Sequence, residues 1–254
     1  MSNSPLVSYT KLSPNHSGQR THVVDRITPH CVVGQCSVET LGNIFAPTSR
    51  QASCQYGIGV DGRVGMYVEE KNRSWCSSSN ANDQRAITIE CASDATHPYA
   101  FNDTVYAKLI ELCTDICKRY GKTKLLWLGD KTKTLNYEPA SNEMVLTVHR
   151  WFANKSCPGD WMYARMGDLA SKVTAKLGGS AGGTETPADN QVLYRVQTGA
   201  FSNKANADAM LQKVKAAGFD TYMVKVDNLY KIQVGAFSKK ANADAMAAKL
   251  KAAG

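Results

Sequence analysis

The passage that most constrains this chain is one it writes twice. Residues 195–210 read RVQTGAFSNKANADAM and residues 231–246 read KIQVGAFSKKANADAM, an offset of 36 positions. Self-similarity at that period means one supersecondary unit used twice. Each copy is an apolar alternating stretch, a GAF-S turn and a helix capped near Ser202 or Ser238. Residues 222–226 supply a further strand between the copies, and 230–234 are the strand that opens the second copy. The expected order is β-α-β-β-α, with both helices on one face of a small sheet. By symmetry a further strand should follow Gly254, as residues 220–226 follow Gly218.

Ahead of the repeat lies GGSAGGTETPADN, residues 178–190, which has no large apolar residue and is rich in Gly, Ser, Thr and Pro. That composition predicts a flexible linker. The chain of 254 residues therefore divides into a domain at 1–177, a linker at 178–190 and a module at 191–254. Net charge is +8, and the last 63 residues carry 10 Lys/Arg against 4 Asp/Glu. A basic surface suits a polyanion, a cell wall or an acidic membrane without choosing among them. No run of about 18 apolar residues marks a membrane span. The first residues lack the basic start and apolar core of a signal peptide. Accumulation in a cytoplasm is the expectation. Eight cysteines, all before residue 158, fall in apolar stretches rather than framing loops, which predicts mostly free thiols.

In the first domain, residues 1–20 read as an irregular polar arm and 23–31, VVDRITPHC, as a buried strand. Val38–Phe45 reads as a helix. The segments 55–60 and 63–68, joined by Asp61-Gly62, read as a hairpin. RAITIEC at 85–91 alternates as a strand. Asn102-Asp103 opens a helix over 104–120 that Gly121 ends. Residues 124–128 form a short strand, Ser141-Asn142-Glu143 caps a helix to about Ala153, and 160–177 is a last helix.

The chemistry converges on HRWFANKSC, residues 149–157, followed by Pro158-Gly159. Neutral imidazole and thiolate are both good zinc ligands. His149 and Cys157 can reach one ion if the chain returns between them, and Lys155 lies in the same loop. Of the other four histidines, His16, His22, His30 and His97, only His30 ends an apolar strand and so projects into a cleft. Cys113 and Cys117, one helical turn apart on an apolar face, read as core. Trp75 and Tyr56 are open between lining a sugar cleft and filling the core.

A strand ending ITPH, the hairpin YGIGVDGRV, the strand AITIE and then H-x7-C-P-G resemble, in that order, the zinc-dependent type 2 N-acetylmuramoyl-L-alanine amidases. These share their fold with peptidoglycan recognition proteins, and the resemblance spans about residues 10–176. It implies an α/β fold with a mixed central sheet flanked by helices. It implies His30, His149 and Cys157 as ligands of Zn2+, Glu90 as the general base and Lys155 as a stabiliser of the oxyanion. Three ligands leave a fourth position for water or substrate. The chain departs from the family at Pro29 and Cys31, which flank the first ligand. Cys54 stands where one branch carries a tyrosine, so that tyrosine's role does not transfer. The bond cut would join the lactyl group of N-acetylmuramic acid to L-alanine.

VQTGAFSNKANA and IQVGAFSKKANA resemble the SPOR domain, a small α+β module with an RNP-like fold that binds peptidoglycan glycan strands. An amidase and a module favouring stripped glycan form a coherent pair, the second holding the first on its product. The expected setting is a phage endolysin, held in the host cytoplasm until release to the wall. A bacterial sporulation or mother-cell-lysis autolysin is the alternative. A non-catalytic peptidoglycan receptor is disfavoured by the presence of Cys157. Nucleic-acid binding is disfavoured because the repeated strands lack paired stacking aromatics. Neither membrane insertion nor an oligomeric state is implied.

Overall fold

The computed structural model describes residues 3–178, 194–219, 221–226, 228–237 and 240–253. The chain divides into two compact units with the boundary after residue 186. The expected linker, 178–190, lies outside the described residues apart from Gly178.

The first unit opens with β1 (Val7–Thr10), β2 (His16–Gln19), β3 (Arg26–Cys31) and α1 (Val38–Phe45). Next come β4 (Tyr56–Ile58), β5 (Val64–Met66), β6 (Asn72–Ser74), α2 (Asn80–Arg85) and β7 (Ala86–Cys91). Then follow α3 (Asp103–Arg119), β8 (Lys124–Leu126), α4 (Lys131–Leu135), β9 (Glu143–Leu146), α5 (Asp160–Tyr163) and α6 (Met166–Lys176). Seven strands form one sheet in the order β1-β5-β4-β7-β3-β9-β8. Only the β4–β5 hairpin is antiparallel, and every other neighbouring pair is parallel. β2 and β6 form a separate two-stranded ribbon.

Helix α3 shows how sequence drives the packing. Val105, Leu109, Leu112, Cys113 and Ile116 recur at helical spacing, and all are buried. Each large side chain among them contributes about 1.5–3 kcal/mol by leaving water. The Asn102 side chain accepts from the Val105 N–H at 2.8 Å and starts the helix. Gly121, at φ 67°, ends it, with Lys122 N–H donating to Cys117 O and Gly121 N–H to Lys118 O. Leu169 and Val173 of α6 join the same core. A smaller cluster of Leu41, Phe45, Cys54 and Tyr67 packs around α1.

Three expectations need correction. Residues 1–20 are not an irregular arm: they hold β1, paired parallel to β5, and β2, paired with β6. In both strands half-buried and exposed positions alternate. The helix expected from Ser141 to Ala153 is instead β9 followed by a 3-10 turn at His149–Trp151. Met144, Val145, Leu146 and Val148 are all buried. An apolar run buried on both sides, between β3 and β8, outweighs the capping signal. Glu143, read as part of that cap, instead accepts from Tyr137 OH at 2.7 Å and Ala140 N at 3.1 Å. The last helix is broken at Ala164-Arg165. Arg165 lies over the Trp161 ring at 4.0 Å and donates to the Trp161 carbonyl, taking an acceptor a continuous helix would use.

The second unit is β10 (Tyr194–Phe201), α7 (Lys204–Ala216), β11 (Tyr222–Val226), β12 (Leu229–Phe237) and α8 (Lys240–Ala252). Its antiparallel sheet runs β10-β12-β11. This is the expected β-α-β-β-α order, with Val196, Ala207, Val214, Ile232, Val234 and Ala243 buried.

Candidate functional site

The site lies where parallel strands end. β3 and β7 pair in register, so that His30 is the direct partner of Glu90 and both point to the same face. Two residues earlier on β3, Thr28 Oγ1 meets Thr147 Oγ1 at 2.7 Å. The same two-residue step that leads from Thr28 to His30 leads from Thr147 to His149. Parallel pairing thus delivers two imidazoles side by side, with ring centroids 5.1 Å apart and planes 60° apart.

Below them the sheet face is polar and satisfied. Asn82 donates to Thr28 Oγ1 at 3.0 Å and accepts from Thr147 Oγ1 at 3.0 Å. Thr88 and Ser74 bond to each other and to Gln55 Oε1. Such a network tolerates burial because each group has a partner.

Cys157 comes back to His149 through a closed loop. Arg150 N–H donates to Cys157 O at 3.1 Å, and the Arg150 guanidinium bonds the Ser156 carbonyl and Asp160. Gly159, at φ 84°, lets the chain pass within contact of residue 98, where a Cβ would stand 2.8 Å from Pro98 O. Cys157 Sγ thereby sits 3.3 Å from His30 Nδ1.

The donor atoms of His30, His149 and Cys157 all lie within 4.8 Å of one another. Burial drives the His30 pKa well below its usual value, and the neighbouring His149 adds to this, so the ring is neutral and carries a lone pair. Burial, followed by the charge of Lys155, lowers the His149 pKa as well. Burial pushes the Cys157 thiol well up, so in the metal-free protein it stays protonated. Glu90 is 15 % exposed. Burial raises its pKa to about 7, against an opposing pull from Arg50. Its Oε2 is buried without a hydrogen-bond partner. Two neutral imidazoles, a thiol that would release its proton to become a thiolate ligand, and an unpaired carboxylate oxygen suit a divalent cation.

A cleft of about 390 Å³ opens beside this group, lined in part by Glu90, His149, Lys155, Arg50 and Trp75. All five residues predicted from the sequence therefore meet here: three as a donor cluster, with Glu90 and Lys155 at the wall. Trp75 lines the cleft. Tyr56 does not: it is wholly buried, and its hydroxyl donates to Glu70 Oε1.

The sequence reading missed Cys76, whose Sγ lies 3.4 Å from His30 Nε2 and 3.9 Å from Glu90 Oε1. It also missed Ser78, whose Oγ lies 3.0 Å from His149 Nε2. Neither sits in a periodic segment, so no pattern marked them. All eight cysteines are free thiols, and Cys113 and Cys117 are core.

Residues 19–160, more than half of the chain, match the family model described as N-acetylmuramoyl-L-alanine amidase. The chain belongs to the N-acetylmuramoyl-L-alanine amidase family. Residues 190–254 of this amidase match the SPOR domain. No curated protein matches it. Among solved structures, the amidase is similar to the peptidoglycan binding domain of the B. subtilis cell wall lytic enzyme CwlC. That likeness has 48 % identity over 28 % of this chain and 86 % of that one, with a TM-score of 0.25. It is also similar to the N-acetylmuramoyl-L-alanine amidase LysC from Clostridium intestinale, at 17 % identity over 68 % and 96 % of the two chains and a TM-score of 0.42. A mutant endolysin from Bacillus subtilis shares 14 % identity over 65 % and 97 %, with a TM-score of 0.44. Among the described residues of the amidase, no helix is long and apolar enough to cross a membrane.

Proposed function

We propose that this amidase cuts the bond between N-acetylmuramic acid and L-alanine with the help of one zinc ion held by His30, His149 and Cys157. The observation that carries this reading is the clustering of those three donors within 4.8 Å, next to Glu90 on the adjoining strand. When bound, zinc would supply a Lewis acid and lower the pKa of a coordinated water toward neutrality. Glu90 takes the proton of the attacking water and returns it to the leaving amine of alanine. In the metal-free protein burial already raises this carboxyl to about 7, which favours its taking up a proton. Lys155, exposed at the rim of the cleft, places an ammonium where the carbonyl oxygen gains charge. Trp75 offers an aromatic wall to the sugar side of the substrate.

We divide the chain into a catalytic domain at 1–177, a tether at 178–190 and a SPOR module at 191–254 that holds glycan strands. Its basic surplus, 10 Lys/Arg against 4 Asp/Glu, favours an anionic wall. The tether raises the local concentration of the catalytic domain without altering its site. The setting we propose is a phage endolysin kept in the host cytoplasm until it reaches the wall. Eight unpaired cysteines, one of them a ligand, fit accumulation in a reducing compartment.

Mass spectrometry of digested peptidoglycan tests the reaction. The expected product is a stem peptide with a free alanine amine and glycan with no new reducing ends. New reducing ends would make the enzyme a glycosidase. Metal analysis of the purified chain should find about one zinc per molecule.

A further inference from the structure

The turn from Cys76 to Ser78 touches both candidate metal histidines from behind. His30 presents Nδ1 toward Cys157 Sγ, at 3.3 Å, and toward Glu90 Oε1, at 3.9 Å. Its Nε2 faces Cys76 Sγ at 3.4 Å. Turning the ring by 180° would set carbons against both sulfurs, so the contacts fix its orientation. His149 repeats the arrangement, with Nε2 at 3.0 Å from Ser78 Oγ. In each ring Nε2 is engaged by the turn, and in His30 it is Nδ1 that faces Cys157.

The turn is built to hold still. Cys76 and Ser77 both donate backbone N–H groups to the buried carboxylate of Asp83, and Ser77 Oγ donates to it at 2.6 Å. Trp75 N–H donates to Ser53 Oγ at 3.1 Å. Ser78 takes φ 60°, a left-handed conformation uncommon outside glycine and asparagine. A backbone held there needs surrounding contacts to fix it, and the Asp83 bonds supply them. The grouping of His30 with Cys76 and Glu90 shares only His30 with the grouping of His30, His149 and Cys157. The first grouping could itself hold a metal, so Cys76 stands outside the donor set when His149 and Cys157 are the ligands that join His30.

We propose that Cys76 and Ser78 are positioning residues. They accept the Nε2–H of His30 and of His149, and so commit both rings to bind the metal through Nδ1. A histidine ligand whose second nitrogen is held in this way has its tautomer and ring orientation set before the metal arrives. The inference rests on the zinc assignment above and adds two side chains to it, delivered by one turn and anchored by one buried carboxylate.

The test uses the full chain with zinc as the probe. Nitrogen-15 NMR of the imidazoles in the zinc-bound wild type should show both rings metal-bound at Nδ1 and protonated at Nε2. Chelator competition should then show zinc affinity falling about 10- to 100-fold in Cys76→Val and in Ser78→Ala. Cys76→Ser, which keeps an acceptor, should recover most of the loss, and Cys113→Ala, a core thiol elsewhere, should leave affinity unchanged. Should Cys76→Val fail to fold, Cys76→Ser with Ser78→Ala and the wild-type spectrum carry the test. Coordination through Nε2, unchanged affinity in both variants, or two zinc ions per chain would overturn the inference. So would a cobalt-loaded wild type whose thiolate charge-transfer band halves in Cys76→Val, since Cys76 would then be a ligand itself. A wild-type chain that binds no zinc would instead sink the zinc reading under it.

Discussion

The two units of this amidase are assembled by opposite routes. In the C-terminal unit the described strands all pair antiparallel, and the same passage is used twice. In the N-terminal unit the proposed site draws on positions 30, 76, 78, 90, 149, 155 and 157; parallel pairing sets 30 beside 90, and turns and loops bring in the rest. Parallel strands need long crossovers, so a site at their ends is necessarily gathered from distant sequence. The difference teaches that a module for holding can be written locally, whereas a centre that performs chemistry is drawn from distant strand ends and the loops beside them.

The sharpest way to separate the units is to remove the metal. Chelation, or His149→Ala, should abolish release of alanine amines from purified wall and leave wall binding by the full chain unchanged in a pull-down assay. Loss of both together would merge what we have kept apart. Glu90→Gln should retain zinc and lower kcat by about 10²- to 10⁴-fold, the usual span for a general acid–base group. Full activity in that variant would remove Glu90 from the mechanism.

A stability measurement sharpens the comparison further. Leu112→Ala, in the core of α3, should cost about 2–5 kcal/mol in chemical denaturation of the first unit's transition. The transition of the repeat-built unit should not move.

Glu90 also gives the metal-free protein a pH dependence whose sign is fixed. Its folded pKa, about 7, lies above the usual carboxylate value, so the folded state holds the proton longer. Its stabilising effect is complete below about pH 4 and is lost as pH rises through 7. Between pH 5 and pH 8 the metal-free wild type should therefore lose up to about 3 kcal/mol relative to Glu90→Gln. Parallel pH profiles for the two proteins would contradict the burial argument. The smallest effect is expected from deleting residues 187–254. Turnover of a soluble muropeptide should stay the same, while lysis of intact wall slows.

Legibility followed the same division. The repeat made β10 to α8 readable because amphipathic strands and capped helices alternate over short distances. The hairpin, α1 and α3 were readable for the same reason. β9 was misread because Met144 to Val148 is apolar throughout, and a doubly buried strand carries no periodicity to tell it from a helix. His30, His149, Cys157 and the nearby Lys155 were marked by residue chemistry and position, and Glu90 and the roles of all five by motif resemblance. Nothing in their spacing shows that Thr28 and Thr147 would stand 2.7 Å apart and align the histidines beyond them. Cys76 and Ser78 lie in a turn whose only distinguishing mark, a left-handed φ at a serine, exists in space alone.

The sequence by itself determined the kinds of donor available, the order of most elements and the presence of a duplicated module. These depend on side-chain chemistry and on periodicity within a few residues. The tertiary structure alone decided that a cysteine and a serine stand against Nε2 of the two histidines. It also decided that a carboxylate on the neighbouring strand loses its water. Those outcomes depend on register and burial, which arise only when strands remote in the chain lie side by side and exclude solvent together.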